Sequence, residues 1–378
     1  MTGSSPPKLS ICIPTYNNAD NLHDVLTHAL SFESDDVEFV VGNDGSVDAT
    51  DEVVQGFDDD RLLYYENESN LGFEPNLLKV IEQSNGEYVL PMADEDLLIH
   101  DTTRWILDTI TESESGFGCL IGSYGDESEW NNSNWDDVVG DEEWFDPGRE
   151  SLCGFLDIPH PYAEHTWRRN YLGGFVLNRD RIDLNRAEDF YGCIYLHDVL
   201  ILQSLVSDCL VLTSRDICNY HYYEYDVDEN EHRYWGNSWS EIERRVRMQK
   251  YRIKLIDEMI SDPVARERFL KKEQHFAANV AAWAIYSNEH SFSEIRALAL
   301  NEDVYEVSSV WASLDFWRLT LRYLAVLPLP FSRLKTNLSS GYLGKDALTV
   351  WNQVAKRALP DSVYTRLKKR IAPVVTRS

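Results

Sequence analysis

The sequence predicts an α/β protein built on a doubly wound, mostly parallel sheet. Short apolar runs alternate five times with segments of helical spacing over residues 9–123. In the stretch GEYVLPMADEDLLI (86–99), an apolar run stops abruptly at Asp94-Glu95-Asp96. Consecutive ionised carboxylates cannot continue a buried strand, because desolvating them without partners is very costly. We therefore expect a strand ending at a cleft, since open parallel sheets bind ligands outside the carboxyl ends of their strands.

The predicted elements follow in chain order. Strands are expected at 9–13, 37–41, 62–65, 88–92, 118–123 and 175–177, and helices at 22–30, 48–55, 75–84, 102–113 and 195–206. Pro75 is expected to open its helix, because proline is favoured in a first turn. Residues 125–146 carry nine acids and no Lys or Arg, which favours a solvated loop or lid over a specific partner site. Two long helices are expected between 238 and 288.

Composition narrows the class of protein. With 43% apolar residues and 12% aromatics, the 378-residue chain can bury a sizeable core. Its net charge of −29 suits concentrated salt, so we expect a halophilic source. Six scattered cysteines without a CxxC pair indicate a reducing cytosol. We expect neither a secretory signal in the N-terminal MTGSSPPK nor a membrane-spanning helix, because every uninterrupted apolar run is much shorter than the ~20 residues a span needs.

The charge is unevenly distributed. Residues 315–378 hold 12 Lys or Arg against 3 Asp or Glu, a balance of +9, while the rest of the chain stands at −38. Trp317, Leu321 and Leu324 lie among these basic residues at helical spacing. This pattern predicts a basic amphipathic helix in a membrane interface. The alternative is a basic helix docked on the acidic body of the same protein.

Five short motifs then occur in order, and all of them lie at the ends of predicted strands or at the starts of strands or helices. They are Ile11-Cys12-Ile13-Pro14-Thr15-Tyr16-Asn17, Asn43-Asp44-Gly45-Ser46-Val47-Asp48, Asn70-Leu71-Gly72-Phe73 with Asn76, Gly86-Glu87-Tyr88, and Asp94-Glu95-Asp96. Over residues 8–225 the chain resembles family 2 glycosyltransferases of the GT-A fold. Within that family it looks most like the abequosyltransferase-like group, whose members add a sugar to a lipid-linked saccharide.

The resemblance implies a pocket for a nucleotide-sugar donor. Its residues would be Pro14, Thr15, Tyr16, Asn17, Asp44, Asn70, Gly72, Asn76, Asp94 and Glu95. Tyr16 can stack on a base, and Asp44 can accept hydrogen bonds from a base or ribose. The alternatives are a packing aromatic at Tyr16 and a turn-capping carboxylate at Asp44. Two departures from the family are Asn43 in place of an acid and Pro75 in place of a common Arg.

The acidic triplet occupies the DxD position of the family. The resemblance implies that Asp96, with Asp94 or Glu95, binds Mg²⁺ or Mn²⁺. A divalent ion stabilises the charge that develops on a departing nucleoside diphosphate. In so acidic a chain an acidic triplet also arises by chance, but its apolar flanks on both sides favour function.

A second group of residues lies near the predicted helix at 195–206. His197-Asp198 falls where the family commonly has a Glu-Asp pair carrying the catalytic base, and the abequosyltransferase-like group also has a His there. Asp198 is slightly favoured over His197 as the base that takes the acceptor proton. The alternative is a buried His beside a helix-capping Asp, and Glu188-Asp189 is a second candidate pair. Gly173-Gly174 allows either a close approach of the acceptor or an ordinary bulge.

These features together predict an inverting, metal-dependent glycosyltransferase. We expect a nucleotide-sugar donor, a lipid-linked saccharide or polyprenyl or dolichyl phosphate as acceptor, and a peripheral position on the inner face of the cell membrane, with no nucleic-acid partner. The predicted segments are a GT-A domain at 1–225, a helical extension at 226–314 and the basic segment at 315–378. A processive polymerase is disfavoured because no Gln-x-x-Arg-Trp motif follows, and a nucleotidyltransferase because residues 16–21 contain no basic phosphate loop. The alternative is a non-catalytic sugar-nucleotide-binding or scaffold protein of a glycan assembly complex.

Overall fold

The structure is a computed structural model that describes residues 6–125, 141–158, 172–193, 195–220 and 251–273. The strands are β1 (Leu9–Thr15), β2 (Val37–Asn43), β3 (Leu62–Glu66), β4 (Tyr88–Pro91), β5 (Asp96–Leu98), β6 (Cys119–Gly125), β7 (Glu143–Phe145), β8 (Phe175–Asn178) and β9 (Leu210–Tyr220). The helices are α1 (Ala19–Leu30), α2 (Thr50–Gln55), α3 (Phe73–Gln83), α4 (His100–Glu112), α5 (Arg149–Asp157), α6 (Leu184–Glu188) and α7 (Leu196–Ser207), with a 3₁₀ turn at Arg179–Arg181.

The strands form one mixed sheet in the order β3-β2-β1-β4-β8-β6-β9-β5, and β7 pairs with β9. Strands β3, β2, β1 and β4 run parallel to one another. Strand β8 is antiparallel to both β4 and β6, whereas β6 and β9 are parallel. The carboxyl ends of the four parallel strands therefore meet at one edge of the sheet, as expected for a doubly wound α/β protein.

Helices cover both faces of the parallel strands. Alternate residues of β1 and β2 pack with the apolar sides of α1, α2 and α4 in one buried cluster, which includes Leu9, Ile11, Ile13, Leu22, Val25, Leu26, Val37, Phe39, Val54, Ile106 and Ile110. Helix α3 packs against β1, β2 and β4, and its buried Leu77, Val80 and Ile81 lie outside that cluster. Because successive side chains of a strand point to opposite faces, these two sets of contacts fix the strands between two helical layers.

The sequence correctly predicts β1 to β4, β6 and β8, together with α1 to α4 and α7. It does not predict the short β5, which begins at the buried Asp96 and pairs with β9. Helix α3 begins at Phe73 rather than at Pro75, which therefore occupies its third position. A proline is tolerated there because the first N–H groups of a helix have no intrahelical acceptor. The prediction of a loop over 125–146 is wrong for residues 143–145, which form β7 and pair with β9. Residues 126–140 lie outside the described residues.

The remaining predictions fall mostly outside the described part of the chain. Residues 251–259 and 263–273 are helical with a break between them, in line with two helices in the 238–288 region. The chain divides into two compact units, residues 1–238 with 255–269 and residues 239–254 with 270–378. The predicted boundaries at 225 and 314 and the whole basic segment 315–378 lie outside the described residues. Among the residues that are described, no helix is long and apolar enough to cross a membrane.

Candidate active site

The candidate site lies at the carboxyl edge of the parallel strands. Thr15 ends β1, Asp44 follows β2, Asn67 follows β3 and Asp94 follows β4. All four residues are buried, with exposed fractions between 2% and 7%. Four polar side chains therefore converge at adjacent strand ends. Thr15, Asp44 and Asp94 belong to the predicted site, whereas Asn67 lies in none of the sequence motifs.

Asp44 holds the loop that precedes α3. Its Oδ1 accepts hydrogen bonds from Asn67 Nδ2 (2.9 Å) and from the backbone N–H of Leu71 (2.9 Å). Its Oδ2 accepts one from the N–H of Gly72 at 2.8 Å. Asn70 Oδ1 also accepts from that N–H at 2.8 Å. The loop at 70–72 is therefore folded around the carboxylate, and Asp44 shapes the wall of the candidate donor pocket.

Asn76 and Asn17, two other residues of the predicted pocket for the nucleotide sugar, hold the loops around Asp44 in place. Asn76 is buried; its Nδ2 donates to the carbonyl of Gly42 (2.8 Å), and its Oδ1 accepts from Asn67 (3.1 Å). Asn17 adopts a left-handed conformation with φ 51°. Its Oδ1 accepts from the N–H of Val47 at 2.8 Å, which joins the loop after β1 to the loop after β2. Both amides thus fix the loops that surround Asp44.

Exposed apolar side chains lie on the same three loops. Tyr16 is 39% exposed after β1, Val47 is 88% exposed after β2, and Leu71 is 48% exposed before α3. The loops are joined to one another through Asn17 and Asp44. A base entering at this edge would find the exposed ring of Tyr16 available for stacking.

The first acid of the triplet points toward β1. Thr15 Oγ1 donates a hydrogen bond of 2.6 Å to Asp94 Oδ2. Burial raises the pKa of Asp94 to about 6, although the hydrogen bond from Thr15 acts in the opposite direction. A cation next to this carboxylate would favour its charged form, since a nearby opposite charge lowers the pKa of an acid.

The third acid opens β5 beside a glycine. Asp96 is 1% exposed, and a Cβ placed on Gly173 would lie 3.2 Å from Asp96 Oδ2. Gly173 has φ 84° and donates its N–H to the carbonyl of Pro91. The glycine therefore allows the backbone before β8 to approach Asp96 closely at the end of β4. Glu95, between the two aspartates, is half-buried.

The oxygen ligands available here suit a divalent ion shared with a substrate. Among the described residues, no group of three or more His, Cys, Asp or Glu side chains is placed to hold a metal ion alone. Mg²⁺ is usually held by one or two protein carboxylates together with substrate phosphates and water. Asp94, Glu95 and Asp96 offer carboxylate oxygens of this kind, and a nucleoside diphosphate would complete the coordination.

The predicted base pair lies in the first turn of α7. His197 and Asp198 are 5% and 2% exposed, and His197 Nε2 lies 4.0 Å from Asp198 Oδ1. The His197 ring stacks on Phe175 with centroids 5.7 Å apart and meets Tyr195 edge-on at 5.5 Å. Phe175 begins β8, two residues after Gly173. The start of β8 therefore lies between the acidic triplet, which Gly173 approaches, and His197, which Phe175 contacts.

The second candidate pair, Glu188-Asp189, is exposed at the end of α6. Glu74, which belongs to none of the predicted sites, reaches from α3 to the segment that follows this pair. Its Oε2 accepts from the N–H of Gly192, and its Oε1 accepts from Cys193 Sγ at 3.4 Å. Its position in the first turn of a helix gave no sign of this long-range contact.

Part of the chain is similar to known bacterial glycosyltransferases. The β-1,3-glucosyltransferase of Campylobacter jejuni named for GalNAc(5)-diNAcBac-PP-undecaprenol is 32% identical over 128 residues, which are 32% of this chain and 41% of that protein. Abequosyltransferase RfbV of Salmonella typhimurium is 30% identical over 112 residues, 28% of this chain and 33% of that protein. The similarity therefore spans about two fifths or less of each relative's length.

The fold is similar to that of a solved structure, and part of the sequence matches a family model. S. aureus TarS in complex with UDP-GlcNAc has a TM-score of 0.56 at 14% identity, and the match covers 84% of this chain and 91% of TarS 1-349. At that identity the likeness shows the fold, which is GT-A. The profile of the family described as "Glycosyl transferase family 2" matches residues 10–170, which include the strand ends that carry Thr15, Asp44, Asn67 and Asp94. Residues 10–170 of this chain are therefore similar to glycosyl transferase family 2.

Proposed function

We propose that the protein is an inverting, metal-dependent glycosyltransferase that moves a sugar from a nucleotide-sugar donor to a lipid-linked acceptor at the cytosolic face of the membrane. The observation that carries this proposal is the arrangement at one sheet edge. At the carboxyl edge of the parallel strands lie the loops with Tyr16 and Asp44 and the acidic triplet after β4. Strand β8 begins at the same edge, and its first residue, Phe175, contacts His197.

The donor would bind along this edge with its base at the outer loops and its diphosphate at the triplet. Tyr16 offers an exposed aromatic face, and the loop held by Asp44 offers backbone groups. Asp96 and Asp94, with Glu95 beside them, would hold Mg²⁺ or Mn²⁺ together with the diphosphate. When bound, the ion would neutralise charge on the departing nucleoside diphosphate. The UDP-GlcNAc complex of TarS supports a nucleotide sugar as the donor class.

Transfer would occur in one displacement with inversion at the anomeric carbon. Asp198 would take the proton of the acceptor hydroxyl as its oxygen attacks that carbon. The new C–O bond forms while the bond from the anomeric carbon to the phosphate oxygen breaks, and its electron pair leaves with the nucleoside diphosphate. His197, buried between Phe175 and Tyr195, would orient the acceptor or share the role of base.

The names of two relatives support a lipid-linked acceptor. One is named for an undecaprenol-linked substrate and another is an abequosyltransferase. We extend this to a lipid-linked saccharide or a polyprenyl or dolichyl phosphate for the present chain, used in the assembly of a protein glycan or surface polysaccharide. The basic segment 315–378 would keep the protein peripheral on the membrane where such acceptors lie.

A panel of nucleotide sugars tests the proposal. Thermal unfolding would be followed with each sugar nucleotide in the presence of Mn²⁺, because a ligand that binds only the native state stabilises it by an amount that grows with the logarithm of ligand concentration relative to Kd. We expect one donor to raise Tm with Mn²⁺ and not with chelator, and to be hydrolysed slowly without an acceptor. Pro75, in place of the family's common Arg, favours the alternative of a non-catalytic binding protein. Metal-dependent binding with no hydrolysis or transfer would support that alternative.

A further inference from the structure

Glu74 lies at the junction between the donor loop and the segment that leads to α7. The start of α3 is fixed from the donor side, because Gly72 donates its N–H to Asp44 and adopts φ 92° immediately before the helix. Glu74 is therefore held two residues beyond a backbone group that Asp44 binds directly.

From this position Glu74 contacts a segment 118 residues away in the chain. Gly192, with φ 90°, donates its N–H to one carboxylate oxygen, and the buried Cys193 thiol donates to the other at 3.4 Å. Hydrogen bonds to an ionised acceptor are stronger than those between neutral groups. Burial raises the pKa of Cys193, and the charge of Glu74 raises it further, so the thiol stays protonated and able to donate.

The segment held by Glu74 is also tied to α7 at its other end. Asp183 N–H donates to Gln203 Oε1 at 2.7 Å, and Gln203 Nε2 donates to the carbonyl of Asp183 at 3.1 Å. The first residue of the 183–193 segment is thus hydrogen-bonded to Gln203 in α7. The end of the segment nearest to His197 is hydrogen-bonded to Glu74. A carboxylate on the donor side therefore sets the backbone just before the turn that carries the candidate base.

We propose that Glu74 is a positioning residue for transfer, which fixes the segment before α7 so that His197-Asp198 faces the donor edge. This proposal rests on the function proposed above. Misplacing a reacting group by about 1 Å lowers rates by about a hundredfold, so a contact of this kind acts on turnover rather than on donor affinity. Glu74 itself touches no reacting atom in this scheme.

Three variants separate this role from general stability. Glu74→Ala removes the acceptor, Glu74→Gln keeps an amide oxygen for the Gly192 N–H, and Glu82→Ala removes an exposed carboxylate elsewhere on α3 as the matched control. For each variant, kcat and donor KM are measured, and alkylation of Cys193 by iodoacetamide in the folded protein is followed by peptide mass spectrometry. Circular dichroism checks that each variant is folded.

We expect Glu74→Ala to lower kcat by about tenfold to a hundredfold with little change in donor KM. Cys193 should then be alkylated faster, while Glu74→Gln restores most of the turnover and protection. Turnover or Cys193 protection in Glu74→Ala equal to that in Glu82→Ala would overturn the proposal. Equal alkylation rates in Glu74→Gln and Glu74→Ala would also overturn it, because loss of the Glu74 charge alone would then explain the faster reaction of the Cys193 thiol. If wild type transfers no sugar, the proposed function fails, and Cys193 protection still decides whether Glu74 holds the segment.

Discussion

Thr15 and Asp94 join the ends of β1 and β4 across 79 residues of sequence through a hydrogen bond of 2.6 Å. Both side chains are nearly inaccessible, at 3% and 7% exposed. The bond orients the first acid of the triplet against the neighbouring strand. It also stabilises a carboxylate whose burial would otherwise be more costly.

Loss of the Thr15 hydroxyl should destabilise the protein without changing its shape. Thr15→Val removes the hydrogen-bond donor to Asp94 while keeping the branched side chain. We expect the unfolding free energy to fall by about 1.5–3 kcal/mol, since hydrogen bonds to charged groups contribute this much. Thr15→Ser keeps the hydroxyl and is the matched control. Urea denaturation measures both, and equal stability of the two variants would show that the hydrogen bond contributes nothing.

Asp96 should be essential for metal-dependent donor binding. Asp96→Asn keeps the size of the side chain but removes the charge that a divalent ion needs, so we expect a folded protein whose Tm no longer rises with donor and Mn²⁺. Asp108→Asn, at an exposed position on α4, is the control and should behave as wild type. Unchanged turnover in Asp96→Asn would end the assignment of Asp96 as a metal ligand.

Asp198 should matter for turnover more than for donor affinity. Asp198→Asn is expected to lower kcat by about 10²–10⁴, the usual contribution of a general base, with donor affinity near wild type. His197→Ala should be milder. The measurements are steady-state kinetics and donor titration. The reverse ranking would assign the base to His197, and normal activity in both variants would direct attention to Glu188 and Asp189.

Sequence reasoning works where local signals agree with the fold. The strands β1, β2 and β4 are apolar runs that end in turn-forming or acidic residues, so their positions and their shared edge could be predicted. Strand β9 could not be predicted, because Arg215 and Asp216 interrupt its apolar pattern. Its position in the sheet is set by pairing with β5, β6 and β7. Tertiary pairing here overrides local preference.

The site shows the same division. Asp44 and Asp94 stand at strand ends and were predicted, whereas Asn67 and Glu74 act through contacts with distant segments. Glu74 lies 118 residues from Gly192 in sequence, and nothing local distinguishes it from other acids in this acidic chain. Gly173-Gly174 left two interpretations open, and the structure places Gly173 in close contact with Asp96.

Stability should fall on mild acidification because of His100. The His100 ring stacks on His28 with centroids 4.6 Å apart, and its Nε2 donates to the His28 carbonyl at 3.1 Å. Burial, followed by the neighbouring His28, lowers the pKa of His100. The unfolded chain then binds a proton more readily, so folding stability is present above pH ~6.5 and is lost as pH falls toward the lower folded pKa.

His100→Gln tests this effect, because it keeps a hydrogen-bond donor and removes the titration. Thermal unfolding between pH 7.5 and 5.5 should show a smaller drop in Tm for His100→Gln than for wild type. Identical slopes would show that His100 does not contribute to the pH dependence of stability.

The basic segment 315–378 should bind anionic membranes. It stands at +9 in a chain otherwise at −38, and Arg318 and Arg322 lie four residues apart beside Trp317 and Leu324. Each basic residue near an anionic surface contributes about 1 kcal/mol at moderate salt. In concentrated salt the Debye length falls to ~3 Å or less, so the apolar side chains carry more of the attachment.

Deletion of 315–378 should therefore release the protein from anionic vesicles in a flotation assay and leave sugar-nucleotide binding intact. In the full chain, Trp317→Glu with Leu324→Glu should cause the same release even at high salt, because it removes the apolar contribution. Arg318→Gln with Arg322→Gln is the companion variant, and it should weaken binding at low salt far more than at high salt, since it removes only charge. If the truncated protein unfolds, or still floats with the vesicles, the segment is a structural helix docked on its own acidic body and the membrane assignment is wrong.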